Sequence, residues 1–238
     1  MNPLLRFYAG HLLPLIVVAG LIAALDHAGI DPLVSGWYFD APSGAFPWRY
    51  NGFLDVVMHH WTKYLVILIA VAAFAAYVIS FLAPQLLPAR PLFLFVALAL
   101  TLAPLMVATL KQFSMRHCPW DIAGFGGFLP YLQWFDAYPA GIAPGRCFPA
   151  GHASTGFCLL AFYFVGRALG SPALARVGFL LGLAAGLGLG WVRIMQGAHF
   201  ASHVLWSGVI CWIVIVVLYG MLIERRESTG SDYLYRAY

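Results

Sequence analysis

Apolar positions in this chain gather into long runs that are broken only where charged residues cluster. A bilayer core about 30 Å thick needs about 20 mostly apolar helical residues at about 1.5 Å each. Six runs approach that length, near 8–25, 64–82, 92–110, 152–170, 174–192 and 201–223. Arg6 precedes the first run as it would in a secretory signal, but no Ala-x-Ala pattern follows around Leu25, so the run reads as a retained helix. The pattern predicts an all-α integral membrane protein, with six transmembrane helices in one bundle and a single domain over residues 1–238.

Composition narrows the classes further. The chain is 62% hydrophobic and 9% charged, with a mean hydropathy of +0.84. A soluble globular domain, a disordered chain, a disulfide-rich miniprotein and an electrostatic nucleic-acid binder all need more charge or more cysteine than this. The net charge of +4 names no partner, but its distribution orients the helices. Arg6, Arg90, Arg167, Arg176, Arg225 and Arg226 fall at one set of helix ends. Asp26, Asp31, Asp40, Asp55, Asp121 and Asp136 fall at the other. The arginine side is expected to be cytoplasmic, with both termini inside and the gaps 26–63 and 111–150 outside.

The first of these gaps carries Trp37, Tyr38, Trp48 and Trp61 and reads as an interfacial belt. Asp55, His59 and His60 could bind a metal there, Asp55 and His59 standing four apart on a possible helix, though an interfacial surface accounts for them more simply. In the fifth run Gly178, Gly182, Gly186 and Gly190 also recur every four residues, which predicts a bare ridge for close helix packing. Cys158 and Cys211 lie in apolar runs and read as packing residues. The tail from Glu227 to Tyr238 is polar enough to be solvated.

Chemistry collects in and around the second gap. Lys111, Arg116 and His117 follow the third helix. Arg146 and His152 frame the fourth, Arg193 ends the fifth, and His199 and His203 open the sixth. Ionisable groups at membrane depth are costly and mark function. A cationic cluster with hardly any carboxylate suits a doubly charged anion such as phosphate. Phe148-Pro149-Ala150-Gly151-His152 places backbone N–H groups, those of Ala150 and Gly151 included, ahead of an apolar helix, where the helix dipole also favours an anion.

These residues resemble the type 2 phosphatidic acid phosphatase family, membrane lipid phosphatases that share a helical core with vanadium haloperoxidases. The family's Lys, six residues, Arg-Pro corresponds to Lys111 with Cys118-Pro119. Its Pro-Ser-Gly-His corresponds to Pro149-Ala150-Gly151-His152. Its Ser-Arg, five residues, His, three residues, Asp corresponds to Val192-Arg193, His199 and His203. The resemblance spans roughly residues 64–223. It implies a cofactor-free and metal-independent phosphatase acting on a membrane lipid phosphate or diphosphate, in a bacterial inner membrane with the site facing the periplasm. By similarity His199 is the nucleophile that becomes phosphohistidine and His152 is the proton donor and acceptor. Lys111 and Arg193 hold the phosphoryl oxygens.

Three positions depart from the pattern. Cys118 replaces an arginine, for which Arg116 or Arg146 can substitute. Ala150 lacks the serine hydroxyl. His203 stands where an aspartate orients the nucleophile, so either its imidazole takes that role or Asp121 or Asp136 folds in from the loop. Transfer of the phosphoryl group to a second lipid is an alternative outcome of the same chemistry. A non-catalytic lipid-phosphate binder or transporter is another class that the replaced residues allow. Finally, Cys118 and Cys147 lie in one outward gap, each beside a motif, and are expected to form a disulfide.

Overall fold

The computed structural model describes residues 2–56, 61–133, 136–137 and 139–225. The metal-binding group of Asp55, His59 and His60 and the tail over Glu227–Tyr238 were read from the sequence, and His59, His60 and the tail lie outside the described residues. Among the described residues there is no β-strand beyond two isolated bridges. Helix α1 (Pro3–His27) is capped by the Asn2 side chain, which accepts the Leu4 N–H at 2.9 Å. The left-handed Gly29 then turns the chain into the short α2 (Ile30–Gly36). One turn, α3 (Gly52–Asp55), precedes α4 (Thr62–Ile79), and α5 (Arg90–Gln112) opens with a proline in its first turn. The last third of the chain holds α6 (Gly151–Phe157), α7 (Ala161–Ala168), α8 (Pro172–Met195) and α9 (Ala201–Tyr219), the last continued by a π-type turn to Glu224.

Five helices among the described residues are long and apolar enough to cross a membrane: α1, α4, α5, α8, and α9 with its π turn. The run at 152–170 differs from the single helix expected there. It folds as α6, a 3-10 turn over Cys158–Leu160, and α7. Two local features accompany the break. The Ser154 hydroxyl donates to the Gly151 carbonyl at 2.6 Å and the Cys158 thiol to the Thr155 carbonyl at 3.1 Å, competing with the helical ladder. The same segment also lies against the bare ridge of α8.

That ridge packs as the spacing predicts. A Cβ at Gly178 would stand 2.4 Å from the Phe162 carbonyl carbon, and one at Gly182 would stand 2.4 Å from the Leu160 nitrogen. At Gly186 and Gly190 it would meet the Phe157 ring and the Val204 side chain, each at 2.2 Å. Gly156 and Gly166 return the favour from α6 and α7, against the backbones of Ala185 and Ala175. Small residues therefore set the α6–α7 to α8 distance, which in lipid is where packing energy comes from. Cys158 and Cys211 are both buried free thiols. Helices α1 and α4 stand at the periphery, with 6% of their apolar windows buried against 39–44% for α5, α8 and α9.

Candidate active site

The site-side ends of α5, α6, α8 and α9 are tied together by the loop over 113–150. Gly145, Arg146 and Cys147 donate their N–H groups to the carbonyls of Met115, Ser114 and Arg116, at 3.2, 3.0 and 2.9 Å. The expected disulfide closes beside this ladder, with Cys118 and Cys147 sulfurs 2.06 Å apart. A further tie joins α6 to α9. The Ala150 N–H donates to the His203 carbonyl at 3.2 Å, and the Ser207 hydroxyl reaches both the Ala150 and His203 carbonyls at 2.9 Å.

Inside this frame His199 is buried. Burial, followed by the electrostatic effects of His203, Lys111, Arg193 and His152, holds its pKa well below the ordinary imidazole value. Lys111, Arg193 and His152, the three side chains predicted to act with His199 on a phosphate, therefore all lie within electrostatic reach of its ring. Nδ1 of His199 faces the Cys147 sulfur at 3.6 Å, which leaves Nε2 as the nitrogen available to an incoming atom. Arg193 is aimed by a residue that the motifs do not include, donating from Nη1 to Gln196 Oε1 at 2.7 Å. Its carbonyl accepts the Ala198 and His199 N–H groups, so the loop bearing His199 is built on the end of α8.

The remaining expected residues are placed differently. The Ala150 N–H is spent on His203, so the first α6 amide open to an anion is that of Gly151. Arg116 is ion-paired to Asp26, with Nη2–Oδ2 at 3.1 Å and Nη1–Oδ1 at 3.5 Å. Arg146 is exposed on the loop in a left-handed conformation, φ 50°. His203 is fully buried between the edges of Phe148 and Phe200, each 5.4 Å away between ring centroids. Its ring lies 5.9 Å from that of His199, and the polar group nearest to it in hydrogen-bonding sense is the Cys147 backbone, without a well-formed bond to either nitrogen among the described residues. It also borders a polar cavity of about 210 Å³ shared with Arg116, His117, Tyr131 and Gln133.

Asp121 and Asp136 do not supply the missing carboxylate. The Asp121 carboxylate acts on His117, and the Asp136 carboxylate accepts the Gln133 N–H at 2.7 Å, while neither acid is among the groups that act on His199 or His203. The buried acids are Asp26 and Asp31, which the motif reading did not select. Asp26 binds Arg116 and accepts the Tyr131 hydroxyl at 3.1 Å. Asp31 accepts the Ser202 N–H at 2.8 Å and, in a shorter bond, the Ser202 hydroxyl. Burial pushes the Asp31 carboxyl up to about 7, the Ser202 bonds oppose that rise and Asp26 adds to it. The pair pins the start of α9, one residue before His203, to α1, α2 and the loop. The signal for these acids was available, since they stand five apart at the end of an apolar helix, where an unpaired carboxylate is costly.

Cys147, His199 and His203 bring one potential metal-ligating atom each within 4.8 Å of the others. The Cys147 sulfur is committed to the disulfide, which leaves two imidazoles, fewer than a zinc site uses.

The PAP2 superfamily model matches residues 90–227, more than half of the chain. The lipid A 4'-phosphatase of Francisella tularensis subsp. novicida (strain U112) is 27% identical over 211 residues, covering 83% of this chain and 88% of that protein. No solved structure matches the chain. The matched region takes in α5 through α9 and every residue gathered around His199, and this chain belongs to the PAP2 superfamily.

Proposed function

We propose that this protein is an integral membrane phosphatase that hydrolyses a phosphomonoester on a lipid, with the 4'-phosphate of lipid A as the substrate class suggested by the Francisella relative. The observation that carries the reading is the buried His199, on a loop built on the Arg193 carbonyl and within electrostatic reach of Lys111, Arg193 and His152. Nε2 of His199 attacks phosphorus while the bond to the lipid oxygen breaks, and His152 gives that oxygen its proton. His152 then takes a proton from water as the water displaces the histidine, releasing inorganic phosphate. Lys111, Arg193 and the Gly151 N–H stabilise the equatorial oxygens. Removing one such donor typically costs ~3 to 4 kcal/mol of transition-state stabilisation. No step needs a metal, so chelators are expected to leave the rate unchanged. His203 supports His199 by packing from behind, and Arg116 holds the loop through Asp26.

The same reading has six crossings, counting α6 to α7 as one, with both termini cytoplasmic and the site facing the periplasm of a bacterial inner membrane. The arginine and aspartate partition supports it. The direct test is phosphate release from lipid A by purified full-length protein, with and without EDTA. Release that requires EDTA-sensitive metal would overturn the metal-free route. Transfer of label to a second lipid in place of release would identify a phosphotransferase.

A further inference from the structure

Two cavities share lining residues at the end of the bundle away from His199, and the larger extends from there toward the other end. One is a groove of about 930 Å³ between α1, α7, α8 and α9, lined by apolar side chains such as Leu15, Phe179, Leu183 and Trp212. The other, about 450 Å³, lies at the turn between α7 and α8 and includes Arg167. Both are lined by Tyr163 and Arg176, so the apolar groove opens into a basic mouth. Among the described residues no acidic side chain lines either cavity. Glu224 reaches this end electrostatically, through His11, but borders neither.

Arg167 and Arg176 are both exposed, and Arg167 is not a freely snorkelling side chain. Its Nη1 donates to His11 Nε2 at 2.8 Å, while His11 Nδ1 donates to the Phe7 carbonyl at 2.9 Å. The guanidinium is therefore held at the mouth with donors to spare. Along α8 the groove runs from Arg176 to Leu187, and along α1 from Gly10 to Leu25, fifteen residues or about 22 Å, which is most of a hydrocarbon core of about 30 Å. A long apolar groove with two arginines at one mouth matches one class of ligand.

We propose that this groove binds an anionic glycerophospholipid of the leaflet opposite the active site, with an acyl chain between α1 and α8 and the phosphate between Arg167 and Arg176. Basic pockets between transmembrane helices recognise anionic headgroups in this way. The lipid would complete the packing of α1, most of whose circumference the protein leaves uncovered. The site is remote from Lys111 and Arg193, which stand at the opposite ends of α5 and α8.

Native mass spectrometry of the full-length protein, extracted from nanodiscs of equal phosphatidylglycerol and phosphatidylcholine, reads the occupancy. The wild type is expected to retain phosphatidylglycerol preferentially. The double variant Arg167→Ala/Arg176→Ala is expected to lose about 30-fold in that retention. Leu183→Trp, which fills the groove and spares the arginines, is expected to reduce it as well. Lys111→Ala/Arg193→Ala is expected to leave it intact. Equal retention of the two lipids by wild type, unchanged retention in both groove variants, or loss in the Lys111/Arg193 variant instead would overturn the proposal. Thermal melting of each variant separates lost binding from lost folding. The result stands apart from phosphatase activity, which none of these readouts uses.

Discussion

His199 and Asp31 are both buried yet shifted in opposite directions, the imidazole lowered by burial and then by its basic neighbours, the carboxyl raised by burial and by a second acid. His199→Ala and His152→Ala are each expected to lower phosphate release at least ~100-fold in a protein that still binds lipid phosphate, and His203→Ala to lower it less. Because the His199 pKa lies well below its usual value, the acid limb of kcat/KM should fall well under pH 6.5; an acid limb at or above 6.5 would contradict a buried neutral nucleophile. The stability consequences have opposite signs. A depressed histidine pKa contributes stability that is present above about 6.5 and lost as pH falls. For Asp31, raised to about 7, the contribution is complete below the ordinary carboxylate value of 3.8 and lost as pH rises through about 7. Asp31→Asn should therefore remove the part of the melting-temperature profile that declines between those two pH values. Lys111, His152, Arg193 and His199 were legible in the sequence because their spacing and helix ends form a pattern. Asp26 and Asp31 stand out in the sequence only as costly carboxylates by an apolar helix end, and their partners are not legible there, because they lie 171 residues away at Ser202 and 90 away at Arg116; Gln196, which aims Arg193, belongs to no motif.

Among the helices, α8 shows how a four-residue repeat becomes architecture. Its Gly178 and Gly182 admit the backbones of α7 and of the turn before it, and Gly182→Val should cost roughly 1–3 kcal/mol by forcing Leu160 away, read as a lower unfolding midpoint in detergent. A midpoint equal to wild type would show that the contact is looser than described. The Cys118–Cys147 bridge spans 29 residues and joins the ends of α5 and α6. Replacing both cysteines with alanine should lower stability by about 3 to 4 kcal/mol in the chain-entropy account, and reductant should have no further effect on that variant. Five of the six expected helices appear close to their predicted bounds, since long apolar runs leave the backbone no other way to satisfy its hydrogen bonds in lipid. The interruption at Cys158–Leu160 was not legible, because it arises where Ser154 and Cys158 bond back to carbonyls under the pressure of a neighbouring helix.

For the molecule as a whole, the charge partition and the helix directions agree on one arrangement. Helices α1, α6–α7, α8 and α9 bring His11, Arg167, Arg176 and Glu224 to one end, and Lys111, His152, Arg193 and His199 collect at the other. An impermeant thiol reagent on intact cells should label a cysteine introduced at Asp40 and spare one introduced at Arg90; the reverse pattern would invert the topology. The central claim is that the cationic end hydrolyses lipid phosphate through His199. The measurement that bears on it most directly uses purified wild type and His199→Ala with lipid A carrying a radiolabelled 4'-phosphate, following both released phosphate and label retained on protein after denaturation at alkaline pH, where a phosphohistidine survives. The account predicts release by wild type, with acid-labile label on the protein, and neither from His199→Ala. Full release by His199→Ala, or binding by wild type without release or transfer, would contradict it.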